Sequence, residues 1–235
     1  MSMPTFTHGS ECDVYGDGWY LSEYFNSAGM PQSRDTAETT TFKKKTKTYI
    51  PGLRDNTMSL EGFSDETPNH ISDIMHAAMS APQSLWTYAS SGAELGNRCK
   101  SLTAFQTSFE VTSETGDANK ITAEVQGSDS VMNGTVVKIL EAASAGNSPG
   151  SVQSTLVTNR AGELVVHASI VTSSPLVVSL QDSANGTVWA DLASTSLSFT
   201  GRGALALRTA TTVRQYLRAK WTGAGTFFVA VGFRK

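Results

Sequence analysis

The sequence predicts a mostly β chain of antiparallel strands, and three observations carry that reading. Apolar and polar residues alternate with period two along much of the chain, most cleanly over residues 102–127. Glycine and Asn-Gly steps separate short apolar runs throughout the second half. Only one segment carries convincing helical periodicity.

Taken in order, strands are expected at about 11–15, 18–26, 34–42, 56–63, 84–90, 102–113, 119–127 and 134–141. The run up to residue 42 is rich in β-branched threonine, with Glu38 and Thr40 on one side of it. Thr57-Met58-Ser59-Leu60-Glu61 then alternates as a half-buried strand does, Ser59 and Glu61 opposing Met58 and Leu60. Between the two runs lie Phe42, Lys43, Lys44, Lys45 and Lys47, followed by Tyr49, Ile50, Pro51, Gly52 and Leu53. Ordinary hairpin connections take about 2 to 5 residues, so this segment reads as an exposed arm, with Pro51-Gly52 turning the chain back into the sheet. The helix follows Thr67-Pro68, a fitting N-cap with proline in the first turn. Its stripe is Ile71, Ile74, Met75, Ala78 and Met79, and Ser80-Ala81-Pro82 ends it.

Residues 102–127 form a hairpin around Thr115-Gly116-Asp117. Phe105, Phe109 and Val111 are expected on the core side against Gln106, Ser108, Glu110 and Thr112. On the return strand Ile121, Ala123 and Val125 oppose Thr122, Glu124 and Gln126. Beyond it, strands at about 151–157, 163–171, 175–182, 187–192, 196–200, 203–208, 212–221 and 226–233 suit an antiparallel sandwich. Asn133-Gly134 and Asn185-Gly186 read as hairpin turns. The small-residue stretch 142–150 marks a boundary near residue 146. Charge divides there as well: residues 1–145 carry 18 acids and 10 bases, residues 146–235 carry 3 acids and 8 bases. Two domains, 1–145 and 146–235, are therefore expected.

Asp35 to Thr41, Phe42, the lysine- and threonine-bearing loop, Tyr49-Ile50-Pro51-Gly52-Leu53, Asp55 and Ser59-Leu60-Glu61-Gly62 together resemble the major tail tube proteins of long-tailed bacteriophages. The resemblance covers residues from about 10 to 145. A small residue usually follows the phenylalanine in that pattern, whereas Lys43 opens a cationic run here. The resemblance implies a tail-tube-type β-sandwich or half-barrel with one flanking helix and a long stacking arm. Hexameric rings of identical subunits would stack, the arm reaching the neighbouring ring, and DNA would pass through the channel without specific binding. Tape-measure and tail-end proteins follow as partners, and the virion tail as location. Residues 146–235 would form a decoration-like C-terminal sandwich.

A bore that passes a polyanion works best with an acidic wall, because lysines and arginines would hold phosphates. Glu38, Glu61, Glu110 and Glu124, each on the polar phase of a strand, are the lumen-facing candidates. The arm lysines could instead bind nucleic acid, or could pair with the acid-rich surface of the next copy. No catalytic or metal constellation is expected. His70 and His76 lack i, i+4 spacing, His8 and His167 stand apart, no Gly-x-Ser-x-Gly or phosphate loop occurs, and Cys12 and Cys99 read as free thiols. No cofactor is implied. No apolar signal segment or membrane span is found, so synthesis in the host cytoplasm is the expectation. Two alternatives stay open: a carbohydrate-binding or adhesin module using Trp189 and Trp221, and another virion component such as a head-decoration or tail-tip protein.

Overall fold

Antiparallel pairing runs without interruption from one end of the structure to the other. The computed structural model describes residues 9–153 and 161–233. The first half contributes β1 (Asp13–Gly16), β2 (Trp19–Tyr20), β3 (Phe25–Gly29), β4 (Gln32–Glu38), β5 (Tyr49–Phe63), α1 (Ile71–Ser80), β6 (Ser84–Ala89), β7 (Arg98–Thr112), β8 (Lys120–Gly127) and β9 (Met132–Ala143). The second half contributes β10 (Gly146–Asn147), β11 (Val152–Gln153), β12 (Ala161–Ser183), β13 (Ala190–Phe199), β14 (Gly203–Thr212) and β15 (Tyr216–Phe233). The main path of the sheet is β13-β12-β15-β9-β7-β6-β1-β2, with β8, β5, β3 and β4 branching from β7. The fold is mostly β with one α-helix among the described residues, as the sequence predicts.

The second-half strands are fewer and longer than expected. Residues 163–171 and 175–182 belong to the single strand β12, whose register against β15 shifts between Ala168 and Ile170 and twice more before Val177. Bulges let a strand bend while staying in its ladder, so Thr172-Ser173-Ser174-Pro175 marks a bend and not an end. Likewise residues 216–221 of the expected 212–221 strand merge with 226–233 into β15, while Thr212 ends β14. Gly225 sits in that strand because a Cβ there would lie 2.3 Å from the Ile170 carbonyl oxygen. Asn133-Gly134 is also strand and not turn, paired with Phe233 and Gly232. Asn185-Gly186 does turn, its Asn185 Oδ1 accepting from the Thr187 and Val188 amides at 3.0 Å. The expected strand at 151–157 is seen at Val152–Gln153, and residues 154–157 lie outside the described residues.

The helix starts three residues later than the Thr67-Pro68 signal suggests. Asn69 takes a positive φ, His70 occupies the N-cap position, and the Asn69 amide donates to Asp73 at 2.7 Å. Thr67-Pro68 forms the preceding turn, in which the Thr67 amide donates to Asp65. Ile71, Met75 and Ala78 are buried against Met58, Leu60, Ala123 and Val125, so α1 covers one face of the β5-β8-β7 sheet.

Three apolar clusters hold the molecule. One lies within the first half around α1, Trp86 and Leu102; one lies mainly in the second, around Leu164, Val178, Phe227 and Val229. The third draws on both: Tyr15, Leu85, Met132 and Val136 pack with Val165, Phe228 and Ala230. The boundary stretch is bound along β15, where Gly146 pairs with Trp221, the Trp221 indole donates to the Ser144 carbonyl at 2.6 Å, and Ser148 exchanges bonds with Ala219.

Candidate functional site

The predicted arm is a β-ribbon that leaves the sheet. β4 and the first part of β5 pair from Gln32↔Asn56 to Glu38↔Tyr49. Every residue from 32 to 46 and from 49 to 55 is exposed, and Asn56 is the first buried one. Pro51-Gly52 is therefore strand and not the turn expected from the sequence. Opposite Asp35, residues Gly52 and Leu53 form a bulge, and Arg34 Nε donates to the Gly52 carbonyl at 3.1 Å. Pro51 pairs with Thr36 directly beside this bulge, and bulges and edge strands are where a ladder tolerates a residue without an N–H. The turn lies instead at 39–48. Its neck is closed by Thr39 N–H to the Thr48 carbonyl at 2.8 Å and by Thr48 N–H to Thr40 Oγ1 at 3.0 Å. The tip presents Phe42, fully exposed at 100%, beside Lys43, Lys44 and Lys45. Lys47 turns back to Glu38 at 3.1 Å. Below the tip, Tyr49, Ile50 and Leu53 remain 53%, 54% and 81% exposed.

The arm is rooted in polar contacts. Asn56 Nδ2 donates to the Asp129 carbonyl, Gln126 Nε2 donates to Asp55 at 2.6 Å, and Thr57 N–H donates to the Pro31 carbonyl. A two-stranded ribbon with no buried face is marginal by itself. Fixing its backbone opposes order by roughly 1–2 kcal/mol per residue, whereas burying a large apolar side chain returns about 1.5–3 kcal/mol. The four exposed apolar side chains of the arm are thus suited to a surface that the chain itself does not supply.

Of the four lumen-facing candidates, the structure brings three together and sets one apart. On the face of β5-β8-β7 opposite α1, Glu61 and Glu110 flank Thr122 in one cross-strand row, and Glu124 sits between Ser59 and Ser108 in the next. All three glutamates are exposed. Strand spacing of about 4.8 Å places Glu61 and Glu110 roughly 10 Å apart on this face. Glu38 belongs to the arm and is held by Lys47.

The expected alternation of β7 breaks in its middle. Phe105 is 40% exposed and Gln106 is buried at 6%, the reverse of the expected phase, whereas Phe109 does join the core. The cause is a register shift between Gln106 and Ser108, where Thr107 is the extra residue. A bulge changes the facing of everything on one side of it. Val111 faces the buried Ile121 but lies at the open end of the sheet and stays 38% exposed.

The three histidines among the described residues make structural contacts, and His8 lies outside those residues. His70 pairs with Asp65, whose carboxyl is held down to about 2 by hydrogen bonds from Thr67 and His70. The His76 ring meets the Phe109 edge. His167 is fully buried where the halves meet: its Nδ1 accepts from Gly18 N–H at 3.3 Å, so Nε2 carries the proton toward Thr87 Oγ1 at 2.9 Å. Burial pushes its pKa down to about 3. Trp221 is 6% exposed, which removes it as a sugar-stacking ring, and Arg218 lies 4.4 Å over the half-buried Trp189 ring.

A cleft of about 1210 Å³, not anticipated from the sequence, opens beside β1 and β3. Its lining comes from segments 9–14, 20–28 and 88–97, too far apart along the chain to form a local motif.

No protein-family model matches the chain, and no curated protein matches it. Among solved structures, its fold is similar to that of the SPP1 tail tube protein, with a TM-score of 0.45 and 10% identity over 55% of this chain and 78% of that one. It is also similar to a chain of the sheath–tube complex of PVC, an extracellular contractile injection system, with a TM-score of 0.44 and 17% identity over 55% of this chain and 92% of that one. The Dit protein of SPP1, part of the hub of an adsorption apparatus, is similar over 95% of this chain and 99% of its own, with a TM-score of 0.42 and 10% identity.

Proposed function

We propose that this chain is a structural subunit of a phage-type tail tube. Hexameric rings of identical copies stack into a conduit for DNA ejection, in the tail of a virion, with no catalytic step and no cofactor. The observation that carries the reading is the four-stranded sheet β3-β5-β8-β7. One face is covered by the core and α1, and the other is wet and bears Glu61, Glu110 and Glu124. Its two outer edges, β3 and residues 105–112 of β7, have no strand partner among the described residues.

Open edges invite pairing, and repeating such a sheet around a rotation axis joins edge to edge. The wet face then lines the bore, where carboxylates repel phosphate and leave the duplex hydrated. Stacking needs a heterologous contact along the axis, which the arm of Phe42, Lys43, Lys44, Lys45, Lys47, Tyr49, Ile50, Pro51, Gly52 and Leu53 supplies. Residues 1–145 form the tube unit, and residues 146–235 form a decoration-like unit on the outside. Tape-measure and tail-end proteins complete the partner set.

Negative-stain microscopy of the purified full chain at rising concentration tests the proposal. Hollow tubes of uniform width are expected. Monomers or trimers at every concentration contradict it, and single closed rings that never stack would move the subunit to a tail end or a head.

A further inference from the structure

Among the described residues, three lysines at the tip of the arm form no ion pair, and neither do three carboxylates of the cleft. Lys47 is paired with Glu38, whereas Lys43, Lys44 and Lys45 have no ion pair among the described residues. The charged residues lining the cleft are Glu11, Asp13, Glu23 and Glu94, with no lysine or arginine among them. Asp13 is occupied within the chain, accepting from the Tyr20 hydroxyl at 2.6 Å and the Ala93 amide at 2.6 Å. Glu11, Glu23 and Glu94 are exposed and form no ion pair among the described residues. Phe25 and Tyr88, both half-buried, add aromatic wall.

We propose that the tip of the arm of one copy docks in this cleft of another copy, three lysines facing three carboxylates and Phe42 entering between Phe25 and Tyr88. The proposal rests on the tube reading and names the receiving surface for the stacking contact. Two features support a second copy over other occupants. The unpaired charges are opposite in sign and equal in number. The tip also pairs its cations with a fully exposed aromatic side chain, and the cleft pairs its anions with aromatic wall. Complementary charge sets register and encounter rate, while the desolvated aromatic contact holds the complex.

Charge reversal with rescue tests it on the full chain. Glu23→Lys with Glu94→Lys, and separately Lys43→Glu with Lys45→Glu, should each raise the concentration needed for tube formation by about tenfold or more near physiological salt. Combining the four substitutions should bring it back toward the wild-type value. Wild-type assembly by the cleft variant, or no recovery in the combined one, overturns the docking site and leaves the tube reading intact. Failure of the unmodified chain to form tubes would sink that reading instead. Cysteine cross-linking keeps the question open to refutation should a reversed variant not fold. Cys12 lines the cleft, so Thr41→Cys, Phe42→Cys and Thr46→Cys, each treated with a flexible bismaleimide, should yield a ladder of linked copies that Cys12→Ser abolishes. Links confined within single chains, or no Cys12-dependent link from any of the three positions, contradict the proposal.

Discussion

The arm and the seam between the two halves use the same antiparallel ladder and could hardly differ more in their surroundings. Along β4 and the adjoining part of β5 no side chain is buried. At the seam, β9 pairs with β15, and Tyr15, Met132, Val136, Val165 and Phe228 pack in one shared cluster. The hairpin turn at Asp17-Gly18 is inserted there. Asp17 exchanges bonds with Leu85, and Gly18 donates to His167. Even a cation is absorbed: Lys138, 2% exposed, donates to the Ile139 and Glu141 carbonyls at 3.0 and 2.9 Å and lies 4.5 Å from the Phe227 ring centre. The contrast teaches that strand pairing says little about where stability resides. The seam buries its side chains within one chain, and the arm leaves Phe42, Tyr49, Ile50 and Leu53 exposed.

The largest effects are expected where the seam is cut. Removing residues 146–235 strips β15 from β9 and takes Val165, Phe228 and Ala230 out of the shared cluster. The remainder is expected to lose its cooperative thermal transition, monitored by circular dichroism. A sharp transition in that fragment would show that the first half stands alone.

Next comes Gly18→Val. Gly18 has φ +84°, and a Cβ there would lie 2.5 Å from the Ala168 carbonyl and 2.7 Å from that of Gly203. A loss of about 3 kcal/mol or more in urea unfolding is expected, since both the backbone region and the space exclude a side chain. A change under about 1 kcal/mol would mean the seam can open there without penalty.

His167 gives the seam a pH dependence. Its pKa falls from 6.5 in the open chain to about 3 when buried. Between those values the unfolded state holds the extra proton, so stability drops as pH falls through that window, by about 1.4 kcal/mol per unit for one proton. His167→Gln should remove that one-proton slope from the pH profile of urea midpoints. An unchanged slope would show that other groups carry it.

The arm should behave in the opposite way. Replacing residues 39–48 with Asn-Gly closes the same ribbon as a two-residue hairpin. Stability should change by less than about 0.5 kcal/mol, as for other exposed sites, while tube formation is lost. A marked fall in stability would place the arm within the folding unit. The smallest effect on folding is expected for Glu61→Lys, Glu110→Lys and Glu124→Lys together, which should leave tubes intact but slow DNA ejection from assembled particles. Ejection at the normal rate would remove the electrostatic role.

Much of the fold was legible because local patterns survive into the structure. The alternation of Ile121, Ala123 and Val125, the helical stripe from Ile71 to Ala78 and the Thr115-Gly116-Asp117 turn all depend on near neighbours, although Met79, expected in the stripe, is 46% exposed at the end of the helix. What escaped was set by distant residues. Bulges at Thr107 and Gly52-Leu53 carry no local marker, so the exposure of Phe105 and the strand character of Pro51 were hidden. The merging of β12 into a single strand depends on β15, and the buried role of His167 depends on Gly18, 149 residues away. The full reach of the arm did have a signal. Gln32 to Glu38 offers almost nothing apolar on either phase, which marks a strand with no face to bury. The cleft had none, because Glu11, Glu23 and Glu94 come from three separate segments.

A cryo-electron-microscopy reconstruction of tubes grown from the full chain would test the central claim most directly. Sixfold rings are expected in which β3 of one copy lies beside the second half of β7 of the next, Glu61, Glu110 and Glu124 face the bore, and each arm reaches an adjacent ring. A bore lined with lysine and arginine, or arms folded back on their own subunits, would contradict it.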